Sequence, residues 1–138
     1  MTIRSSTEAV GAFRQVLHFD AGHVLHADSA KDGGGGETAP GAHDLFDASL
    51  AACKALTAHW YAKQRGWPLE RVTTEITRDD AHERDKAEPW YGLTVKAKFE
   101  GPLTDEQRER LHEVLTRCPI HKLMTQVEVR VTTLPLAD

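Results

Sequence analysis

Apolar and polar positions change their period several times along the chain, and each change marks an element. Residues 1–10 are mainly polar and read as a frayed terminus. Two short apolar runs follow, residues 13–19 and 23–26, with Asp20-Ala21-Gly22 between them. A turn signal between two strand-like runs predicts a β-hairpin. Residues 28–41 are low in complexity, with Gly33-Gly34-Gly35-Gly36 and Pro40, and read as a flexible loop. The Gly-Lys-Ser/Thr ending of a phosphate-binding loop is missing there, as is the strand–loop–helix dinucleotide fingerprint.

Residues 43–65 form the longest helical pattern. Leu45, Ala48, Ser49, Ala52, Cys53, Leu56 and Trp60 recur at three- and four-residue spacing, which gives one small-to-apolar stripe. Ala48, Ala51, Ala52 and Ala55 make the helix slim, as a central helix packed on several sides requires. Asp44 favours its first turn electrostatically, and Gly66 with Pro68 ends it. Alternation over residues 69–79 (Val72, Thr74, Ile76) and 90–100 (Tyr91, Leu93, Val95, Ala97, Phe99) predicts two strands joined by a charged connection. Thr104 and Gln107 have capping-box spacing and open a second helix carrying Leu111, Val114 and Leu115, which Pro119 ends. Residues 120–125 add a short helical turn. Val127, Val129 and Val131 alternate with Glu128 and Arg130 and predict a closing, half-buried strand. The predicted order is β-β-α-β-β-α-β, an α+β fold with a long central helix.

Composition narrows the function more than the fold. A length of 138 residues suits one domain, residues 1–138, and 40% hydrophobic with 28% charged residues is the profile of a globular chain. The formal charge of −4 argues against non-specific nucleic-acid binding, which needs a concentrated basic face. No apolar run approaches the roughly 20 residues of a membrane span, so no membrane partner is expected. The first residues carry no apolar signal core, and a cytoplasmic protein is expected. Two cysteines are too few for a disulfide scaffold and lack CxxC spacing.

Those two cysteines carry the chemical question. Cys53 lies mid-helix on the apolar stripe, and Cys118 sits at a helix end before Pro119. Each can be a small buried hydrophobe. Alternatively the fold brings them together, one attacking an oxidant and the other resolving the sulfenic acid, which requires a cationic or hydrogen-bonding neighbour for the thiolate. The eight histidines include His18, His23 and His26 close together, but no HxxxH or CxxC is present, so neither metal nor cofactor is expected. A serine-hydrolase elbow is absent. Trp67, Trp90 and Tyr91 flank strand starts, where they either line a pocket or pack at a sheet edge.

Two longer motifs then point to a family. Ala39-Pro40-Gly41-Ala42-His43-Asp44-Leu45-Phe46-Asp47-Ala48-Ser49-Leu50-Ala51-Ala52-Cys53 resembles the central-helix motif of the OsmC/Ohr family, and Arg117-Cys118-Pro119-Ile120-His121 resembles its Cys-Pro-Val/Ile segment. The motifs come in the family's order, and the resemblance covers about residues 12 to 134. It implies an α+β fold in which two chains intertwine as a homodimer. It also implies a peroxidase in which Cys53 attacks organic hydroperoxides and Cys118 resolves, with dithiols such as lipoylated proteins as electron donors. The family's peroxidases hold an Arg towards the thiol with a Glu ahead of the central helix. Here that Glu position falls on His43, with Asp44 beside it, and the hairpin's arginine is Arg14. Arg14 with Asp44 or Glu37 as its carboxylate partner, or else His26 or His43, supplies the cation under this resemblance. The chain looks closer to the OsmC-like branch than to the Ohr branch. A second implied reading is a dimeric small-molecule-binding protein, its pocket lined by Trp60, Trp90 or Tyr91. A third is a redox sensor.

Overall fold

Three antiparallel strands, β1 (Ile3–Thr7), β2 (Gln15–Phe19) and β3 (Val24–Ala27), form the first sheet in that order. The computed structural model describes residues 1–137. The chain divides into two units, Met1–Ala48 and Ser49–Asp138. In the first, the expected hairpin forms at Asp20-Ala21-Gly22: Gly22, at φ 93°, donates to Phe19 O (2.8 Å) and Phe19 N to His23 O (3.0 Å). Leu17 faces Leu25 and Val16 faces His26 across it.

β1 corrects the expectation of a frayed terminus. All five of its residues are exposed, so no buried face leaves an apolar alternation to read. Backbone pairing with β2, from Ile3 opposite Phe19 to Thr7 opposite Gln15, holds it. The Gln15 side chain adds a clasp, accepting from Ser5 Oγ (3.1 Å) and donating to Thr7 Oγ1 (3.0 Å).

The glycine-rich segment is a knot around one carboxylate rather than the expected flexible loop. Buried Asp28 accepts hydrogen bonds from Thr38 Oγ1 (2.7 Å), Thr38 N (3.1 Å), Gly36 N (3.2 Å) and Ser29 N (2.8 Å). A side chain on Gly35 would collide with the Ser29 carbonyl and the Asp28 carboxylate, which is why the turn needs glycine there. Thr38 led by its side chain, then by its backbone, lowers the Asp28 pKa from 3.8 to about 2 against the opposing effect of burial.

The long helix α1 (Ala42–Arg65) ends in a Schellman arrangement: Gly66, at φ 67°, donates to Lys63 O (3.2 Å) and Trp67 N to Ala62 O (2.9 Å). In the second unit, β4 (Arg71–Asp79) and β5 (Gly92–Glu100) pair antiparallel with Val72 opposite Phe99 and Ile76 opposite Val95. Thr74 Oγ1, on the same face, donates to Ala51 O of α1 (3.1 Å). α2 (Asp105–Val114) opens with the expected capping box, Gln107 N to Thr104 Oγ1 (3.1 Å) and Thr104 N to Gln107 Oε1 (2.9 Å). A 3₁₀ turn, Leu115–Arg117, and α3 (Pro119–Thr125) follow.

Ala58, Tyr61 and Ala62 of α1 pack with Phe99, Leu103, Leu111, Val114 and Leu115 to make the core of the second unit. The buried line of α1 is therefore Asp47, Leu50, Lys54, Ala58, Tyr61 and Ala62. The stripe expected from periodicity lies elsewhere on the helix, since Leu56 and Trp60 are 68% and 63% exposed. A helix with small residues all round gives periodicity little contrast, so the pattern cannot select the core-facing side. The closing strand is also corrected: residues 127–131 form no strand among the described residues, and Val127, Val129 and Val131 are exposed. Alternation marks a segment with a face to bury, but a strand also needs a neighbouring edge. The α+β class stands, with five strands and three α-helices among the described residues.

Candidate functional site

Cys53 and Cys118 meet in the second unit. Cys53 is half-buried on α1, and Cys118 has no exposed surface. The residue before a proline is turned away from helical geometry. Cys118 accordingly adopts φ −64° and ψ 141°, breaks the chain between the 3₁₀ turn and α3, and caps α3 through its sulfur, which accepts from His121 N at 3.3 Å. The two thiols are close enough for a side-chain hydrogen bond, and both are free. Burial raises the Cys118 pKa most; the His121 N–H opposes it, the Cys53 thiol adds to it, and the Lys54 charge pulls it down. The net direction is upward, so Cys118 rests as a neutral thiol at neutral pH.

Cys53 lies on the wall of an apolar cavity of about 820 Å³. Ala52, Leu56, Thr57 and Trp60 continue that wall along α1, and Val114, Pro119 and Ile120 face them. Arg65 and Arg117 are its charged members. Arg65 stacks on Tyr61, its guanidinium carbon 3.5 Å from the ring centre.

Behind Cys53, Lys54 is turned into the core and is 5% exposed. Its ammonium donates to Leu115 O (2.8 Å) and meets His121 Nδ1 at 3.0 Å. Burial first, and the Lys54 charge second, hold the His121 pKa below its ordinary value of 6.5. The ring is neutral at pH 7, and because Nδ1 accepts from lysine its proton sits on Nε2. Sequence reasoning missed both residues. A signal for Lys54 was present: four residues separate it from Leu50 and from Ala58, on one helical face.

The other expected site residues have partners of their own. Arg14 is paired with Glu8 (Nε to Oε2, 2.7 Å) and donates to Thr38 O (2.8 Å) and Thr38 Oγ1 (2.9 Å). Its carboxylate partner is thus Glu8, where Asp44 or Glu37 was expected. Glu37 instead accepts from Lys31 N (3.3 Å), and Asp44 from Gly41 N (2.9 Å) at the start of α1. His26 lies 3.7 Å from Glu8, and His43 is exposed in the first turn of α1. Trp60 lines the cavity, whereas Trp90 stacks on His82 at 4.8 Å in the connection between β4 and β5. Tyr91 is half-buried just ahead of β5. Among the described residues, no group of three His, Cys, Asp or Glu side chains can hold a metal ion. No helix among them is long and apolar enough to cross a membrane.

The fold and the cysteine site together define an α+β protein that presents a paired thiol beside an apolar cavity. The chain belongs to the OsmC-like protein family, whose model matches residues 33–133. A solved structure from Psychrobacter arcticus, a candidate osmotic-stress-induced and detoxification-response protein, superposes with a TM-score of 0.74 at 18% identity, covering 91% of this chain and 89% of that one. An OsmC-like protein from Mycoplasma pneumoniae gives 0.72 at 15% identity, covering 91% and 87%. An organic hydroperoxide resistance protein from Legionella pneumophila gives 0.63 at 21% identity, covering 91% and 90%. At these identities the likeness establishes the fold. No curated protein matches the chain.

Proposed function

We propose that the protein is a thiol-dependent peroxidase that reduces organic hydroperoxides through Cys53 and Cys118. The observation that carries this reading is the pairing of a half-buried thiol on the cavity wall with a fully buried one in hydrogen-bond reach. Cys53 is the accessible partner and attacks. Its thiolate takes the distal peroxide oxygen, the O–O bond breaks, and the alkoxide leaves as an alcohol after taking a proton. Cys118 then displaces the hydroxyl of the Cys53 sulfenic acid, giving a disulfide and water. A dithiol donor, lipoylated proteins among them, returns both cysteines to thiols. The apolar walls suit an alkyl or aryl hydroperoxide better than hydrogen peroxide. The Legionella pneumophila relative's description as a hydroperoxide resistance protein supports the same substrate class.

The reading includes a cytoplasmic setting, where both cysteines stay reduced between turnovers. It includes an intertwined homodimer, supported by exposed Leu56 and Trp60 on α1 and by the alternating apolar segment 127–131. Under this reading Arg14, His43 and Asp44 are the groups that support peroxide binding, and Trp90 and Tyr91 join Trp60 in the substrate-binding set.

The test is consumption of cumene hydroperoxide by reduced protein with a dithiol reductant. The wild type turns over; Cys53→Ser falls to the uncatalysed rate; Cys118→Ser turns over more slowly, because the dithiol must then attack the Cys53 sulfenic acid itself. No turnover by the wild type sinks the proposal. The cavity favours one second reading, a small-molecule-binding protein. That reading is tested by titrating apolar ligands against Trp60 fluorescence in Cys53→Ser, with Trp60→Phe as the control.

A further inference from the structure

Lys54 is a buried ammonium that none of the steps above uses. It follows Cys53 by one residue, which turns it about 100° around α1, away from the cavity and toward the core. Its two acceptors, the Leu115 carbonyl and the neutral His121 ring, carry no charge. An ammonium buried with neutral acceptors is costly, and such groups gather where an anion forms during function.

Both anchors of the ammonium also hold Cys118. Leu115 O accepts from Cys118 N (3.4 Å) as well as from Lys54, and His121 gives its backbone N–H to the Cys118 sulfur while its ring meets Lys54. Lysine and buried thiol are thus tied to the same two residues. The anion this site generates is a thiolate.

We propose that Lys54 is the counter-ion of the Cys118 thiolate in the resolving step, a positioning residue fixed between Leu115 and His121. In that step the S–O bond of the Cys53 sulfenic acid breaks and the Cys53–Cys118 bond forms. The Cys118 proton leaves with the hydroxyl as water; the Cys118 sulfur is oxidised and the Cys53 sulfur reduced. Lys54 keeps its protons throughout and contributes only its field. The same charge lowers the Cys118 pKa that burial raises. The role in disulfide formation rests on the peroxidase reading; the charge effect on Cys118 does not.

Two measurements on the full chain separate these. In a Cys53→Ser background, the ionisation of Cys118 is followed at 240 nm as the difference from protein lacking both cysteines. Lys54→Met raises the midpoint by about one unit or more, the usual effect of removing a close opposite charge, and Lys54→Arg restores most of it. An unchanged midpoint in folded Lys54→Met overturns the proposal whatever the peroxide assay shows. With both cysteines present and one equivalent of cumene hydroperoxide, dimedone labelling and intact mass follow the intermediate. Lys54→Met accumulates the Cys53 sulfenic acid and forms the disulfide at least about tenfold more slowly, the rate equivalent of one pKa unit. Disulfide formation at the wild-type rate overturns the resolving role. If the wild type forms no sulfenic acid, the peroxidase reading fails, and the titration still decides the charge effect. Should Lys54→Met not fold by circular dichroism, His121→Leu removes one anchor of the ammonium, leaves the lysine, and raises the same midpoint by a smaller amount. An unmoved midpoint in that variant also overturns the proposal.

Discussion

Asp28 takes a carboxylate out of water and meets four donors with it. Its two Thr38 bonds close the glycine-rich segment, and the Thr38 hydroxyl also accepts from Arg14, which pairs with Glu8. A carboxyl whose pKa is lowered on folding adds stability that is complete above its unfolded value and is lost as pH falls through the folded one. For Asp28 that window runs from 3.8 down to about 2. Asp28→Asn should therefore unfold at lower urea than wild type at pH 5, with the gap shrinking as the pH approaches 2. A gap that stays constant across that range would show that the carboxylate's charge is not what closes the segment. None of this was legible in the sequence, because three of the four donors are backbone N–H groups that leave no side-chain pattern. Lys54 was half-legible: its spacing puts it on one helical face with Leu50 and Ala58, but the sequence does not say that this face is buried, and a lysine in an alanine-rich helix reads as a surface residue.

Helix ends and turns were the most legible elements, since their determinants lie within a few residues of each other. The Thr104–Gln107 box and the Gly66 terminus formed as read. Thr104→Ala should cost about 1 kcal/mol, the usual value of a lost N-cap. Leu111→Ala, which empties a fully buried position, should cost about 2–5 kcal/mol. Chemical denaturation ranks the two, and a reversed order would mean that α2 is held by its cap rather than by its apolar side. Strands at the chain ends were less legible. β1 pairs without burying a face, and the segment 127–131 alternates without pairing. In both cases side-chain pattern and backbone pairing, which usually coincide, came apart. The division of α2 from α3 was set by Cys118-Pro119, and the thiol cap follows from that one local constraint.

The exposed apolar residues bear on assembly. Leu56 and Trp60 on α1, with Val127, Val129 and Val131, exceed what a solitary chain gains by exposing. Under the proposed homodimer, light scattering at micromolar concentration should give twice the 15.3 kDa chain mass. Leu56→Glu with Trp60→Glu, or removal of residues 127–138, should shift the protein toward monomer. A wild type that is monomeric under those conditions sinks the dimer. The β2–β3 hairpin, the ends of α1, the cap of α2, the α+β class and the two cysteine motifs were present in the linear pattern, because turns, caps and alternation act over a few residues. Which side of α1 is buried, the meeting of Cys53 with Cys118, and the placing of Lys54 against Leu115 and His121 came from packing. The cysteine and lysine contacts join residues more than sixty positions apart, where no local spacing ties one partner to the other and only the filled core brings them together.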